Sequence, residues 1–226
     1  EISACLVGSE MCIRDRYSTG PAQIEGGILG SVAPALTGRM LDALSLLCSA
    51  RVLTVGPGLK SGLKLRLDNP AQLGAELLCG AVGALAEGPG PLVAILADTA
   101  ISMMAVNAKQ ELVGGVILPG PQLSLGSLVQ NTAQLPQIDL SAPAPESVLG
   151  KNTAACLHGG AVLGTACLLD GLAERFKAEL GAETRFYATG SLPQTIRDAC
   201  RTPILYRETL ISDGLYRIWR RNRKGG

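Results

Sequence analysis

The stretch VGPGLKSGLKLRLDNPAQLGAELLCGA, residues Val55 to Ala81, contains a turn, a basic segment and the start of a helix. The Gly-Pro-Gly turn at 56–58 ends an apolar segment. Asp-Asn-Pro at 68–70 is typical of a helix start, because Asx side chains cap helices and proline suits the first helical position. Gly74 falls inside the predicted helix, where glycine costs about 1 kcal/mol relative to alanine. Such a glycine often marks backbone that something approaches closely, although an ordinary loop and amphipathic helix also fit this pattern.

The composition favours a compact α/β protein. The 226 residues suit one large domain or two small ones. Apolar residues make up 47% of the chain and aromatic residues only 3%, so the predicted core consists of Ala, Leu, Val and Ile. Charged residues, at 17%, are below the usual quarter, and 28 glycines and 13 prolines supply many turns. A disordered chain would have fewer apolar and more charged residues, and a fibrous chain would have a repeating composition.

Charge and cysteine usage indicate the compartment and the partners. The net charge of +1 gives no electrostatic reason to expect nucleic acid, and the basic residues from Arg217 to Lys224 are expected to end a helix. The seven cysteines are scattered without CxxC spacing, which argues against a zinc site or a disulfide framework. The longest apolar run, 154–169, is shorter than a membrane span requires, and no signal-peptide pattern is present. We therefore predict a cytoplasmic protein with no membrane partner.

Residues 1–16 are interpreted as a non-native leader. Glu10 to Arg16 reads EMCIRDR, which is the translation of a DNA that contains a transposon end used in sequencing-library preparation. Natural-looking sequence begins near Tyr17, so fold reasoning starts there. The chain is accordingly expected to be a fragment whose true N-terminus is missing.

The remaining chain alternates predicted strands and helices on both sides of a Gly-Pro-Gly-Pro stretch at 88–91. That stretch is the predicted boundary between two α/β halves, residues 17–90 and 91–226. Strands are predicted at 24–32, 51–55, 63–67, 92–97, 100–106, 111–118, 184–188 and around Ile204. Helices are predicted at 35–47 (opened by Pro34), 70–87, 124–134, 152–180 and 209–221, with a short one after Ser191.

Seven short motifs in order make the chain resemble the type III pantothenate kinases from about Tyr17 to Arg223. They are Gly30–Thr37 (GSVAPALT), Val55–Gly62 (VGPGLKSG), Asp68–Pro70 (DNP), Gly114–Gly120 (GGVILPG), Thr132–Pro136 (TAQLP), Gly150–Thr153 (GKNT) and Ala188–Gly190 (ATG). The resemblance implies an α/β protein of the actin-like sugar-kinase/Hsp70 superfamily, with two ribonuclease-H-like domains and ATP between them. It also implies a homodimer that phosphorylates pantothenate, in the first step of coenzyme A synthesis, using ATP, Mg²⁺ and a monovalent cation (K⁺ or NH₄⁺).

The family's Gly-Ala-Asp-Arg motif, which supplies the catalytic base and a substrate-binding arginine, reads Gly74-Ala75-Glu76-Leu77 here. By resemblance Glu76 is the catalytic base, but its carboxylate lies one methylene further out, and a misplacement of about 1 Å can cost on the order of a hundredfold in rate. Leu77 cannot replace a guanidinium that holds an anionic substrate. The resemblance implies two further substrate-binding positions. Leu67 stands where the family has a tyrosine, and Thr153 matches a threonine that in the family contacts pantothenate bound to the other subunit of the dimer.

The family's phosphate-contacting motif, Asp-x-Gly-Thr, falls on residues 96–99. Its aspartate, which holds the monovalent cation, is Leu96 here, so no metal ligand is expected at that position. Its glycine is Asp98, whose charge would repel phosphate. Thr99 and Gly190 remain as the expected ATP contacts, and Ser191 replaces the second glycine of the nucleotide-side turn.

The family's N-terminal Asp-x-Gly-Asn-Thr strand has no counterpart from Tyr17 onward, so we expect an exposed sheet edge and an impaired or inactive chain. Two alternatives stay open: a catalytically silent paralogue that still dimerises and binds a ligand, and a non-kinase binding protein of the actin-like superfamily. Asp98 has two interpretations: it is a relocated metal ligand, or it is an ordinary turn residue at the end of a strand. Lys60 and Lys64 either contact a phosphate or carboxylate or simply lie on a solvated strand edge. His158 is interpreted as a packed or interfacial helix residue.

Overall fold

The computed structural model describes residues 24–31, 33–47 and 51–223, so the leader proposed at 1–16 lies outside the described residues. The strands are β1 (Gly27–Leu29), β2 (Val52–Thr54), β3 (Lys64–Leu65), β4 (Leu92–Ala97), β5 (Ala100–Val106), β6 (Glu111–Pro119), β7 (Arg185–Gly190) and β8 (Ile204–Tyr206). The helices are α1 (Pro34–Leu47), α2 (Ala75–Ala84), α3 (Pro121–Gln130), α4 (Thr153–Leu180), α5 (Gln194–Ala199) and α6 (Leu210–Asn222). A short 3-10 helix, Pro70–Gln72, precedes α2.

Six strands form the main sheet in the order β3-β6-β5-β4-β7-β8. Strands β4, β5 and β6 make an antiparallel meander, whereas β7 runs parallel to β4 and β8 runs parallel to β7. Strand β3 adds to the far edge beside β6 in parallel register. Strands β1 and β2 pair with each other in a second, parallel sheet.

The sequence of β4 explains why helices cover both faces of the main sheet. All six of its residues are buried and apolar. Because neighbouring strand residues point to opposite faces, Leu92, Ala94 and Leu96 join one core and Val93, Ile95 and Ala97 join the other. Helices α2 and α6 complete the first core, while α3, α4 and α5 complete the second. The result is an α/β protein with three layers.

Helix α2 contacts both the sheet and α6 through glycines. A Cβ on Gly83 would overlap the backbone oxygen of Leu210, and a Cβ on Gly214 would overlap the backbone oxygen of Cys79. On the sheet side, a Cβ on Gly80 would lie 2.6 Å from Cδ1 of Leu96. Gly83 and Gly214 thus allow the two helix backbones to touch, and Gly80 leaves room for the Leu96 side chain.

The predicted helix from 70 to 87 is interrupted, and the interpretation of Gly74 as an interior glycine was wrong. The Asn69 side chain accepts a hydrogen bond from the Ala71 amide at 3.2 Å and starts only the 3-10 helix. The backbone at Leu73 is extended, and this half-buried side chain packs against the first core. Gly74 is the N-cap of α2, where the helix-interior cost of glycine does not apply. The interior glycines of α2 are Gly80 and Gly83.

Most other predicted elements are present with shifted ends. Strand β4, the β5–β6 hairpin and helix α4 are confirmed, and the structure shows in addition that the Asn152 side chain caps α4. Helix α3 starts at Pro121 instead of Ser124, because the preceding Gly120 is its N-cap, and the strand predicted at 63–67 shrinks to two residues. The boundary at 88–91 stays a prediction. Helix α2 and strand β3 precede it in the chain, yet they pack on and pair with the sheet built around β4.

Helix α4 is the one helix in the described ranges with the length and composition of a membrane span. Its most apolar 18-residue window has a mean hydropathy of 1.4, and 22% of that window is buried. The helix is longer than the run 154–169 suggested, so length alone does not exclude a span. One such helix is weak evidence, however, because core helices of soluble proteins pass the same test. One face of α4 packs on the sheet through Val162, Ala166, Leu169 and Ala173.

The glycine contacts between α2 and α6 predict a sharp dependence of stability on Gly214. Replacing Gly214 with alanine should lower the free energy of unfolding by about 2 kcal/mol or more, because the new methyl group overlaps backbone that cannot move aside. Urea denaturation followed by circular dichroism measures this loss. The matched control is Gly38→Ala in α1, where an added Cβ meets nothing within 4 Å. The control should be neutral or stabilising by up to about 1 kcal/mol, and equal losses in both variants would contradict the packing argument.

Candidate functional site

The sheet has a topological switch point between β4 and β7. These neighbouring strands are parallel, but the chain leaves β4 toward β5 on one side and leaves β7 toward β8 on the other. In α/β sheets such a reversal opens a crevice at the carboxyl ends of the strands, where ligands bind. Strand β6 also ends at this edge because it is antiparallel to β5. We call residues 97–99, 120 and 190–191 the switch-point edge.

Two glycines let the turns of the switch-point edge lie against one another. Gly190 has a φ of 89°, and a Cβ there would overlap the backbone oxygen of Ala97. A Cβ on Gly120 would overlap the backbone oxygen of Asp98, and the Gly120 amide donates to the oxygen of Thr99 at 2.8 Å. The two glycines therefore let the turns pack backbone against backbone, and the space that each Cβ would take is occupied by a carbonyl oxygen of the neighbouring turn.

Asp98 adds a carboxylate to this edge. Its Oδ1 accepts a hydrogen bond from Oγ of Ser191 at 3.1 Å, which links the turn after β4 to the turn after β7. The Ser191 amide also donates to the backbone oxygen of Ala97 at 2.6 Å. Asp98 and Thr99 are both exposed. The edge thus presents an exposed carboxylate whose negative charge repels phosphate.

Leu96 and Asp98 decide whether a cation fits here. Leu96 is 5% exposed and packs against Gly80, so it offers hydrocarbon where hard cations need oxygen ligands. Asp98 supplies a single carboxylate. Among the described residues there is no group of three or more His, Cys, Asp or Glu side chains that could hold a metal ion. The residues present at this edge therefore do not fit a protein-held metal site.

Two side chains that the sequence analysis missed support the Gly190 turn. The Tyr206 hydroxyl donates to the backbone oxygen of Gly190 at 2.8 Å. The Arg197 guanidinium lies 4.1 Å from the centre of the Tyr206 ring, and its buried Nε has no hydrogen-bond partner. No local motif marks either residue, because both reach the turn only through the packing of α5 and β8.

The residues predicted to bind pantothenate lie at the start of α2. Glu76 is exposed in the first helical turn, where the helix dipole favours a carboxylate, and Gly74 and Ala75 precede it. Leu67 and Leu77 are half-buried and pack against the first core. Leu77 therefore contributes to packing, at the position where the resemblance implies a charged arginine.

Cys79, one turn after Glu76, is not a nucleophile. Burial, with the negative charge of Glu76 as the smaller cause, raises the pKa of the Cys79 thiol to about 12. The thiol is therefore protonated at neutral pH, and the thiolate is the reactive form. Its full burial in the first core makes Cys79 a small core residue.

Thr153 lies on a different side of the molecule from the α2 residues. It is exposed at the first position of α4, and the Asn152 side chain caps that helix by accepting from the Ala155 amide at 2.9 Å. Helices α2 and α4 cover opposite faces of the sheet. Within one chain, the sheet therefore lies between the helix that carries Thr153 and the helix that carries Glu76.

Lys60 and Lys64 have structural partners. Nζ of Lys64 lies 3.5 Å from Oε1 of Glu111, an oxygen that Nε of Arg66 also contacts at 3.0 Å. The Lys60 backbone is bonded to the Asn222 side chain. His158 is half-buried, and its Nε2 has no hydrogen-bond partner. Hydrogen bonds from Ser141 and, to a lesser extent, the charge of His158 lower the pKa of Asp139.

Comparison with known proteins places the chain in a family. The family model described as type III pantothenate kinase matches residues 8–175, so the match begins inside the stretch interpreted as a leader. The type III pantothenate kinase of Exiguobacterium sp. (strain ATCC BAA-1283 / AT1b) is 35% identical over 210 residues, which cover 93% of this chain and 82% of the relative. That of Hyphomonas neptunium is 32% identical over 212 residues, with coverages of 93% and 82%.

Among solved structures, a Campylobacter jejuni protein described as a Baf family transcriptional activator has a TM-score of 0.47 at 18% identity. The likeness covers 86% of this chain and 83% of that protein. The family match covers most of the described residues, and the two relatives are matched over more than two thirds of their length. The chain therefore belongs to the type III pantothenate kinase family, as its seven motifs predicted.

Proposed function

We propose that this chain has the scaffold of an ATP-dependent pantothenate kinase but transfers phosphate to pantothenate slowly or not at all. The observation that carries the proposal is the Asp98 carboxylate, hydrogen-bonded to Ser191 at the switch-point edge. In the proposed arrangement residues 17–90 and 91–226 are the two ribonuclease-H-like halves of an actin-like fold. The protein is cytoplasmic, and ATP lies against the switch-point edge.

Phosphoryl transfer needs little covalent help from the protein and depends on positioning and charge neutralisation. In the proposed site Thr99 and the backbone around Gly190 contact the phosphates, and Glu76 accepts the proton of the pantothenate hydroxyl. Neither Leu96 nor Asp98 provides a positive charge that could offset the negative charge on the transferred phosphate. Leu77 likewise provides no positive charge to pair with the pantothenate carboxylate. The scaffold can therefore orient the two substrates while lacking most of the electrostatic part of catalysis.

Mg²⁺ and a monovalent cation are implied by the family resemblance. The single carboxylate of Asp98 is a weak anchor for either ion, and Leu96 excludes one from the space beside Gly80. Any cation would have to arrive with the nucleotide, held by its phosphates.

A second candidate function is a catalytically silent paralogue, or a binding protein of the same fold, that keeps its ligand site and its dimer. The close turns at Gly120 and Gly190 support it, because the backbone of the edge is intact where the charged side chains are changed. Nucleotide binding without turnover would distinguish this candidate from an impaired kinase.

The proposed homodimer forms through the exposed face of α4. Between Cys156 and Gly171 that face carries small residues at helical spacing, with the 43%-exposed Leu168 beside them: Cys156, Gly160, Gly164, Cys167 and Gly171. Small side chains let a second helix approach closely. In the loop just before α4, Val148 and Leu149 are 75% and 78% exposed. A partner packed here would bury this apolar surface and bring Thr153 of one chain toward the site of the other.

The chain as given should show no ATP-dependent phosphorylation of pantothenate above background. The assay measures labelled phosphopantothenate in the presence of Mg²⁺ with K⁺ or NH₄⁺. The Exiguobacterium relative, run in parallel, verifies the assay. Robust turnover by this chain would contradict the proposal that its altered side chains have removed the electrostatic part of catalysis.

Removing the charge of Asp98 should improve nucleotide binding. Asp98→Asn keeps a hydrogen-bond acceptor for Ser191 and removes the repulsion, so ATP affinity should rise roughly five- to tenfold at low salt. Isothermal titration calorimetry measures the change. Asp42→Asn on α1 is the charge-matched control and should leave the affinity unchanged. An equal rise in ATP affinity in both variants would mean that only the net charge of the protein matters. No rise in either variant would mean that the nucleotide binds away from Asp98.

The α4 interface predicts that one arginine can separate the dimer. Light scattering coupled to size-exclusion chromatography should give a dimer for the unmodified chain and a monomer for Gly160→Arg. Ala178→Arg, on the same exposed helix face but beyond the small residues, should remain dimeric. A monomeric unmodified chain, or a dimer that survives Gly160→Arg, would remove α4 as the interface.

A further inference from the structure

A surface cavity of about 580 Å³ lies along the exposed face of α6. Its lining residues come from the end of the α2 region and from α6: Ala86, Glu87, Asp213, Tyr216, Arg217, Arg220 and Arg221. None of them belongs to the switch-point edge or to the start of α2. The volume is within the range of sites that take small molecules, about 300–1,000 Å³.

Three arginines of the cavity have no negative partner. Arg217, Arg220 and Arg221 are exposed, and within the part of the chain that the structure describes none of them forms an ion pair. Their spacing of three and four residues puts them on neighbouring positions of one helix surface. Like charges so placed repel one another until an anion binds between them.

The two carboxylates of the cavity are already engaged. Oε2 of Glu87 accepts a hydrogen bond from Nε of Arg207 at 2.9 Å. Oδ2 of Asp213 accepts one from Oγ1 of Thr209 at 2.7 Å. Arg207 compensates the charge of Glu87, whereas the neutral Thr209 hydroxyl leaves Asp213 negatively charged. The cavity therefore has three guanidinium groups against one remaining carboxylate charge, a net charge of +2.

Aromatic rings hold part of this wall in place. The rings of Tyr216 and Trp219 are stacked, with centroids 6.0 Å apart and an interplanar angle of 22°. The Arg220 guanidinium lies 5.8 Å from the centre of the Tyr216 ring, and that of Arg223 lies 5.5 Å from Trp219. A guanidinium that is already oriented loses less entropy when its planar fork binds two oxygens.

The position of the arginines at the end of α6 has a simple partial explanation. Cations near a helix C-terminus are stabilised by the helix dipole. The dipole does not explain why three of them line one cavity without a counter-ion. The lining also has little apolar surface beyond Ala86 and the Tyr216 ring, which disfavours an apolar ligand.

We propose that the α6 cavity binds a small molecule through a multiply charged phosphate group, with Arg217, Arg220 and Arg221 as the contacts. A diphosphate group provides several oxygens that neighbouring guanidinium forks can share. The site is independent of the proposed kinase site, because the two share no residue.

Trp219 is the only tryptophan of the chain and is stacked on Tyr216 of the cavity, so its fluorescence is a local reporter. Titration with diphosphate at low, constant ionic strength should give a saturable change in its emission. Arg217→Gln combined with Arg221→Gln should weaken the apparent affinity at least tenfold. Arg175→Gln, an exposed arginine on α4 across the sheet, is the charge control and should bind as the unmodified chain does.

The charge-conserving pair Arg217→Lys and Arg221→Lys should bind with intermediate affinity, because lysine keeps the charge and loses the fork. Circular dichroism establishes that each variant is folded. Equal diphosphate affinity in the glutamine pair and the control would overturn the site, as would a response that sodium chloride reproduces. Tighter binding of a single-stranded oligonucleotide than of diphosphate would replace this small-molecule site with a nucleic-acid surface.

Discussion

The close approach of α2 to both β4 and α6 is the contact on which the rest of the architecture depends. Gly83 and Gly214 allow the two helices to touch at their backbones, and Gly80 leaves room for Leu96. The C-terminal helix α6 is thereby held against an element more than a hundred residues earlier in the chain. The same helix reaches β1, where a Cβ on Gly26 would lie 2.8 Å from Nε1 of Trp219. One helix pair therefore closes a face of the main sheet and contacts the small sheet.

The candidate site separates into a backbone layer and a side-chain layer. The turns at Gly120 and Gly190 are fixed by close backbone contacts, and Tyr206 adds a hydrogen bond to one of them. These contacts also hold the sheet together, so they are maintained by folding itself. Leu77, Leu96 and Asp98 do not disturb this backbone, although they change the charges that face a ligand. The backbone of this edge is thus fixed by folding, independently of the charges that its side chains present.

Sequence reasoning succeeded where the signal is local. The buried run of β4 and the β5–β6 hairpin each follow from a few adjacent residues, and helix α4 was predicted at 152–180. The interpretation of Gly74 failed because Asn69 and Pro70 start a separate 3-10 turn, and the packing of Leu73 then redirects the chain. Motif comparison found Asp98, Thr99 and Gly190, and the sheet topology brings them to one edge. Tyr206 and Arg197 were missed because only long-range packing carries them there.

Packing and ion binding compete at position 96. Leu96 is 5% exposed, and its side chain fills the space that Gly80 leaves on α2. A carboxylate in that space would be largely dehydrated, and a dehydrated charge is strongly unfavourable unless a cation or a donor pairs with it. An aspartate there would make the contact between α2 and β4 depend on a bound ion. With leucine at this position the contact between α2 and β4 is apolar and needs no bound ion. The side chain that secures the α2–β4 packing therefore offers hydrocarbon, and no ligand oxygen, to a cation at the switch-point edge.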